Sequence, residues 1–111
     1  MEITDLNRVE ERMVGYLAAL AHDTRLSIFR LLVRAGRSGL AAGTISDRLG
    51  LPPSSLSFHV ANLRNAGLVT DERAGRSILY RANLAAMTSL VLYLSENCCA
   101  DEPNGTRDPK S

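Results

Sequence analysis

From Asp5 to about Leu20, apolar residues recur every three or four positions, at Leu6, Val9, Met13, Tyr16, Leu17 and Leu20. That spacing predicts one face of an amphipathic helix, with Thr4 as its expected N-cap. The stretch "DTRLSIFRLLVRAG" predicts a second helix, opened by Asp23 as N-cap and closed at Gly36. Its apolar residues Leu26, Ile28, Phe29, Leu31, Leu32 and Val33 fall on more than one side, as in a helix packed from several directions. "SGLAAGTISDRLGL" predicts a short helix ending near Gly50. "PPSSLSFHVANLRNAGLV" predicts a longer one, with Pro53 in the first turn, Ser54 or Ser55 satisfying a free amide, and Gly67 at the end. Leu56, Val60 and Leu63 mark its buried stripe.

The pattern then changes. "LVTDERAGRSILYRA" predicts a strand, a tight turn at Ala74-Gly75-Arg76 and a second strand, with Val69 and the Ile78/Tyr80 side alternating. A last helix is expected from about Leu84 to Glu96, with Leu84, Met87, Leu90, Val91 and Leu94 on one face. Residues 100–111, "ADEPNGTRDPKS", hold two prolines, a glycine and almost nothing apolar, so a disordered tail is expected after an ordered domain at 1–99. The fold class is mainly α with a small β-hairpin.

Composition narrows the class. With 45% apolar residues among 111, the chain can build a core, but a domain of this size gains from a partner subunit. No apolar run approaches the roughly 20 residues that span a bilayer, so no membrane partner is expected. The start "MEITDLNRVEER" lacks the pattern of a signal peptide, so a cytoplasmic location with reduced thiols is expected. The net charge of +1 conceals an asymmetry: residues 23–82 carry nine Arg against four acids, between two flanks of two basic and four acidic residues each. A basic centre with acidic ends suits a polyanion-binding middle, although solvated surface arginines would give the same count.

Leu40–Gly67 holds two helices joined by a short turn at Gly50, the arrangement of a helix-turn-helix whose second helix lies in the major groove of double-stranded DNA. With Leu56, Val60 and Leu63 inward, Ser54, Phe58, Ala61 and Asn65 face outward, flanked by Ser57 and Asn62. Hydroxyls and free amides at a helix N-terminus suit phosphate. An exposed Phe58 suits a thymine methyl. His59 lies nearer the buried edge, where a structural role and a DNA contact are both open. Ser54, Ser55 and Ser57 could instead serve as caps. Arg73 and Arg76 flank the hairpin tip, where they could grip the DNA backbone or remain solvated.

The stretches "LAHDTRLSIFRLL", "LPPSSLSFHVANLRNAGLV" and "ERAGRSILYRA" resemble the ArsR/SmtB family of winged helix-turn-helix repressors over about residues 13–99. The resemblance implies a homodimer built from the first and last helices, bound to a palindromic operator as a repressor. It also implies an inducer, whose site varies within the family. The C-x-C site of well-known arsenic members aligns with Ala41 and Gly43 and is missing. The zinc site of other members needs histidines on the last helix, and none is there. "ENCC" resembles a third subset, arsenic-responsive, with adjacent cysteines after the last helix. On that likeness Cys98 and Cys99 are the metalloid ligands, trivalent arsenic the inducer (arsenite, an organoarsenical such as methylarsenite, or antimonite), and no permanent cofactor is expected.

The chemistry of neighbouring thiols agrees. Adjacent Cα atoms lie about 3.8 Å apart, below the roughly 4.4 Å at which disulfides become comfortable. Two thiols that bridge each other poorly can still converge on a soft ion. On a regular helix neighbours diverge by about 100°, so chelation requires the helix to end or distort, and Asn97 tolerates the left-handed conformation that ends helices. Members of the third subset usually supply a third cysteine, which this chain lacks. A mono-organic trivalent arsenical needs only two. Idle thiols or a redox pair remain alternatives, which would leave a repressor with a non-metalloid signal. A thiol enzyme is not expected: a nucleophilic cysteine belongs at a helix N-terminus or an oxyanion cradle, whereas this pair follows a helix C-terminus.

Overall fold

The computed structural model describes residues 2–103, with side chains from residue 7 onward. Five helices and a three-stranded antiparallel sheet follow in the order α1 Glu2–Leu20, α2 Asp23–Ala35, β1 Leu40–Ala41, α3 Ala42–Leu49, α4 Pro53–Asn65, β2 Val69–Ala74, β3 Ser77–Ala82 and α5 Leu84–Ser95. A short 3-10 turn, Gly36–Ser38, leads from α2 to β1. This is the mainly helical winged helix-turn-helix expected from the sequence, with one more strand. α1 starts at Glu2, so the backbone at Thr4 is already helical and is no N-cap; the side chains of Thr4 and Leu6 lie outside the described ones.

α2 is the centre of the core. Ile28 and Leu32 are fully buried, and around them pack Met13 and Tyr16 of α1, Ile45 of α3, Leu56, Val60 and Leu63 of α4, Leu68 and Val69, and Leu90 of α5. Each such side chain contributes about 1.5–3 kcal/mol on leaving water. Leu26, grouped with the core by its pattern, stays exposed. The helix is capped differently from expectation: the His22 imidazole, not Asp23, accepts from the Thr24 amide at 3.1 Å, and Asp23 becomes the first helical residue. Gly36 closes α2 at φ 68° and Gly50 closes α3 at φ 65°, where a side chain would be strained.

The start of α4 also departs from expectation. Pro52 is the N-cap with Pro53 as the first residue, and no side chain bonds the free amides, so neither Ser54 nor Ser55 is a cap. The fixed φ of the two prolines sets the helix start instead.

β3 pairs with both other strands, giving the order β1-β3-β2. Leu40 faces Tyr80 and Ala41 faces Leu79 on one side; on the other the register runs from Val69 opposite Ala82 to Ala74 opposite Ser77, leaving Gly75-Arg76 as the hairpin turn. Close approach of β1 to β3 depends on Gly39. Its φ is 67°, and a Cβ there would stand 2.5 Å from the Tyr80 carbonyl oxygen.

α5 begins where Asn83 caps it by accepting from the Ala86 amide at 3.1 Å. Ala86 and Leu90 are buried, while Val91, Leu92, Tyr93 and Leu94 stay exposed. Val9, Val14 and Leu17 do the same on α1, so the two outer helices together present apolar surface to solvent. Residues 100–103, assigned in sequence to the tail, carry turn hydrogen bonds: the Ala100 amide donates to Asn97 and the Glu102 amide to Cys99, each at 3.1 Å. The remainder of that tail, 104–111, lies outside the described residues.

Candidate functional site

The buried stripe Leu56, Val60 and Leu63 fixes how α4 is turned. It leaves Ser54, Ser57, Phe58, Asn62 and Asn65 exposed and Ser55 and Ala61 half-buried. Phe58 is 63% exposed, an apolar ring held in water beside hydroxyl-bearing residues. Such a face offers base-edge donors and acceptors together with an apolar contact for a thymine methyl. The Asn62 amide is partly committed, since Nδ2 donates to the Phe58 carbonyl at 3.0 Å and Oδ1 is left for another donor.

His59 is half-buried. Its ring centroid lies 4.7 Å from that of His22 and 5.3 Å from that of Phe58. Its Nδ1 is buried with no hydrogen-bond partner. Burial, and then the electrostatic influence of His22 and Arg25, disfavour the imidazolium and hold its pKa below the usual histidine value. His59 thus packs against His22 at the start of α2. Sequence reading did not couple it to His22, because the two are brought together only by the crossing of α2 and α4.

The wing carries Arg73 near the end of β2 and Arg76 in the turn, both exposed. Neither is held by an ion pair among the described residues, so both guanidiniums are available. Two other arginines beside the wing face are committed. Arg64 at the end of α4 donates to Asp71 Oδ2 at 2.7 Å. Arg81 donates through Nη1 to Glu72 at 2.7 Å and through Nε to the Arg37 carbonyl at 2.8 Å. These links tie the hairpin to α4 and to the turn before β1, so the basic tip is carried by a braced strand pair.

The thiols lie at the far end of the chain. α5 stops at Ser95, and Asn97 and Cys99 adopt φ of 63° and 65°. Among the described residues these are the two non-glycine positions with positive φ. Left-handed backbone costs an alanine-like residue about 1–2 kcal/mol, and such strain concentrates at functional sites. Here it reverses the divergence that neighbouring side chains have on a helix. The two Sγ atoms come to 3.3 Å, and no disulfide joins them. Cys98 is exposed and Cys99 half-buried.

Two sulfur bonds of about 2.3 Å, the length of a zinc–thiolate bond, meeting near a right angle span the observed 3.3 Å. The pair is therefore spaced for one soft atom between two sulfurs. Among the described residues no three His, Cys, Asp or Glu side chains are grouped to hold an ion.

Known proteins bear on the DNA-facing half of this arrangement. A helix-turn-helix domain family matches residues 20–72. The transcriptional regulator YgaV of Escherichia coli strain K12 is 31% identical over 98 residues, covering 88% of this chain and 97% of YgaV. Among solved structures, an ArsR-like transcriptional regulator from Rhodococcus sp. RHA1 superposes with a TM-score of 0.67 at 29% identity, covering 78% of each chain. A protein described as a possible transcriptional regulator for arsenical resistance superposes at 0.63 with 27% identity, covering 73% of this chain and 81% of its own. No helix among the described residues is long and apolar enough to cross a membrane.

Proposed function

The chain belongs to the ArsR/SmtB family of helix-turn-helix transcriptional regulators and is not an enzyme, and from that premise we propose that it is a homodimeric repressor released from its operator by trivalent arsenic. α4 reads the major groove through Ser54, Ser57, Phe58 and the free oxygen of Asn62, with Ser55 and the backbone amides of the first turn near phosphate. Arg73 and Arg76 grip the backbone beside it, and His59 joins them only if operator contact draws it from its packing against His22. The exposed apolar faces of α1 and α5 meet their counterparts in a second copy, a burial that a lone domain of this size would otherwise forgo.

The observation that carries the inducer reading is the 3.3 Å approach of Cys98 Sγ to Cys99 Sγ on strained backbone beyond the last helix. Trivalent arsenic held by both sulfurs fixes this turn in one geometry. Because α5 is the helix proposed to pair across the dimer, that change alters how the two reading helices are spaced against half-sites about 34–36 Å apart. A coupling of roughly 1–3 kcal/mol is typical between an effector and a distant ligand. A structure shared with a possible arsenical-resistance regulator supports the same reading.

Fluorescence anisotropy of the chain on its upstream DNA tests it. Arsenite or methylarsenite is expected to release the wild-type protein, and Cys98→Ser and Cys99→Ser are expected to hold the same DNA without responding. Release of both serine variants at wild-type concentrations would place the inducer elsewhere.

A further inference from the structure

A pocket of about 390 Å³ opens between α2 and α5, and neither cysteine lines it. Phe29, Leu68 and Leu90 supply its buried part, and the half-buried Leu20, Val33 and Met87 its sides. Leu26 of α2 and Val91 of α5 are its exposed apolar residues. Two arginines, Arg30 and Arg34, complete the lining, and among the described residues no Asp or Glu contributes to it. Of these residues Val91 alone belongs to the exposed apolar faces of α1 and α5 that pair in the proposed dimer. The depth of the pocket is thus built within one chain.

We propose that this pocket binds an apolar monocarboxylate, its body among the apolar side chains and its carboxylate on Arg30 and Arg34. The bound acid is a second input to operator affinity, independent of Cys98 and Cys99. Eight of the ten lining residues are apolar, the make-up of a small-molecule site in which a few polar groups fix orientation. The head group follows from charge. Arg30 and Arg34 stand four positions apart on α2, so they are neighbours on one helix face. Both are exposed, and among the described residues neither is held by an ion pair or a hydrogen bond. Like charges at that spacing repel. A carboxylate that accepts from both guanidiniums relieves the repulsion, and the flat guanidinium fork matches its two oxygens.

Size sets the body. An apolar cavity of about 150 Å³ holds benzene, so this larger and more open pocket takes a body of about ten carbons. Its place in the fold gives the acid a route to DNA. Leu68 lies between the reading helix α4 and strand β2, while Met87 and Leu90 belong to α5. An acid seated between them bears on how α5 packs against the reading unit, and α5 is the helix proposed to pair across the dimer.

The test uses the full chain with Cys98→Ser and Cys99→Ser, so that any response is separate from the thiols. Isothermal titration calorimetry compares decanoate with 2-naphthoate, which distinguishes a flexible chain from a fused ring. Decanol keeps the body without the charge, and acetate keeps the charge without the body. At least one of the two acids is expected to saturate at one per chain, about tenfold or more tighter than decanol or acetate. Adding Arg30→Gln and Arg34→Gln is expected to weaken that acid about tenfold or more and to leave decanol unchanged. These two side chains are exposed, so the variant keeps the fold, and binding is read without DNA. In anisotropy on operator DNA the same acid is expected to lower affinity about fivefold or more. Saturable binding of neither acid overturns the inference, and a pocket closed by a second copy of the chain gives that result. An acid held equally well by the arginine variant overturns it too. Decanol bound as tightly as the acids overturns the carboxylate assignment. Binding with operator affinity unchanged overturns the input to DNA.

Discussion

The Asn83 Nδ2 donates to the Gly67 carbonyl at 2.9 Å while its Oδ1 caps α5 through the Ala86 amide. One side chain thus joins Gly67, just beyond α4, to the first turn of α5, and the Asn83 backbone amide donates to the Leu68 carbonyl at 2.8 Å. Asn83→Asp separates the two roles, because a carboxylate still caps the helix but cannot donate to Gly67. The variant is expected to lose about 1 kcal/mol in urea unfolding, and to weaken the loss of operator affinity that inducer causes. An unchanged unfolding midpoint would mean that water replaces the bond to Gly67.

Two glycines make opposite predictions. Gly39→Ala forces a Cβ to within 2.5 Å of the Tyr80 carbonyl oxygen at positive φ, and is expected to cost at least about 2 kcal/mol. Gly43 is the second residue of α3, with nothing within 4 Å of an added Cβ. Gly43→Ala is therefore expected to stabilise, by up to about 0.5 kcal/mol at this first-turn position. Chemical denaturation of both variants beside wild type checks the pair, and a mild Gly39→Ala would show that β1 can leave β3 at little cost.

His59 makes stability depend on pH. Burial first, then His22 and Arg25, lower its pKa in the folded chain, while the unfolded chain titrates near the usual value of about 6.5. The folded state therefore binds fewer protons, so stability is full above about pH 6.5 and falls as the pH drops through that value toward the lowered pKa. Thermal melts between pH 7.5 and 5 should show a steeper loss in wild type than in His59→Gln. Parallel pH profiles would exclude His59 as the source.

For the wing, Arg73→Ala and Arg76→Ala are each expected to weaken binding to operator and to unrelated DNA alike. If each guanidinium meets one phosphate, each variant lowers the slope of log affinity against log salt by about 1. A loss confined to operator sequence would instead assign the residue to base reading. Neither substitution is expected to shift stability by more than about 0.5 kcal/mol, since both side chains are exposed.

Much of this fold was legible because its punctuation is local. Gly36, Gly50 and Gly67 end their helices by backbone conformation alone, and the period-two stretch with Gly75 could form little besides a hairpin. The Cys98–Cys99 turn was legible as a condition, that the helix must yield, and positive φ at Asn97 and Cys99 meets it. What escaped was decided at a distance. β1 is two residues long, too short to show a period, and exists only because Tyr80 and Leu79 arrive beside it. His22 capping α2 was hidden by the adjacent Asp23, a stronger capping residue by type. Ser54 and Ser55 have the chemistry of caps, but two preceding prolines had already set the helix start. The pairing of His22 with His59 belongs to a crossing of distant segments that no single stretch encodes.

The short strand β1 has a mechanical result. It fastens the start of α3 to β3, Arg81 pins β3 to the turn before β1, and Asn83 fastens the end of β3 to the end of α4. Reading helix and wing are thus stitched at three corners into one stiff plate. In the proposed dimer, two plates braced in this way follow a misaligned target poorly. One base pair inserted between the half-sites turns one against the other by about 34–36°, so an operator with altered spacing should be refused even when both half-sites are intact.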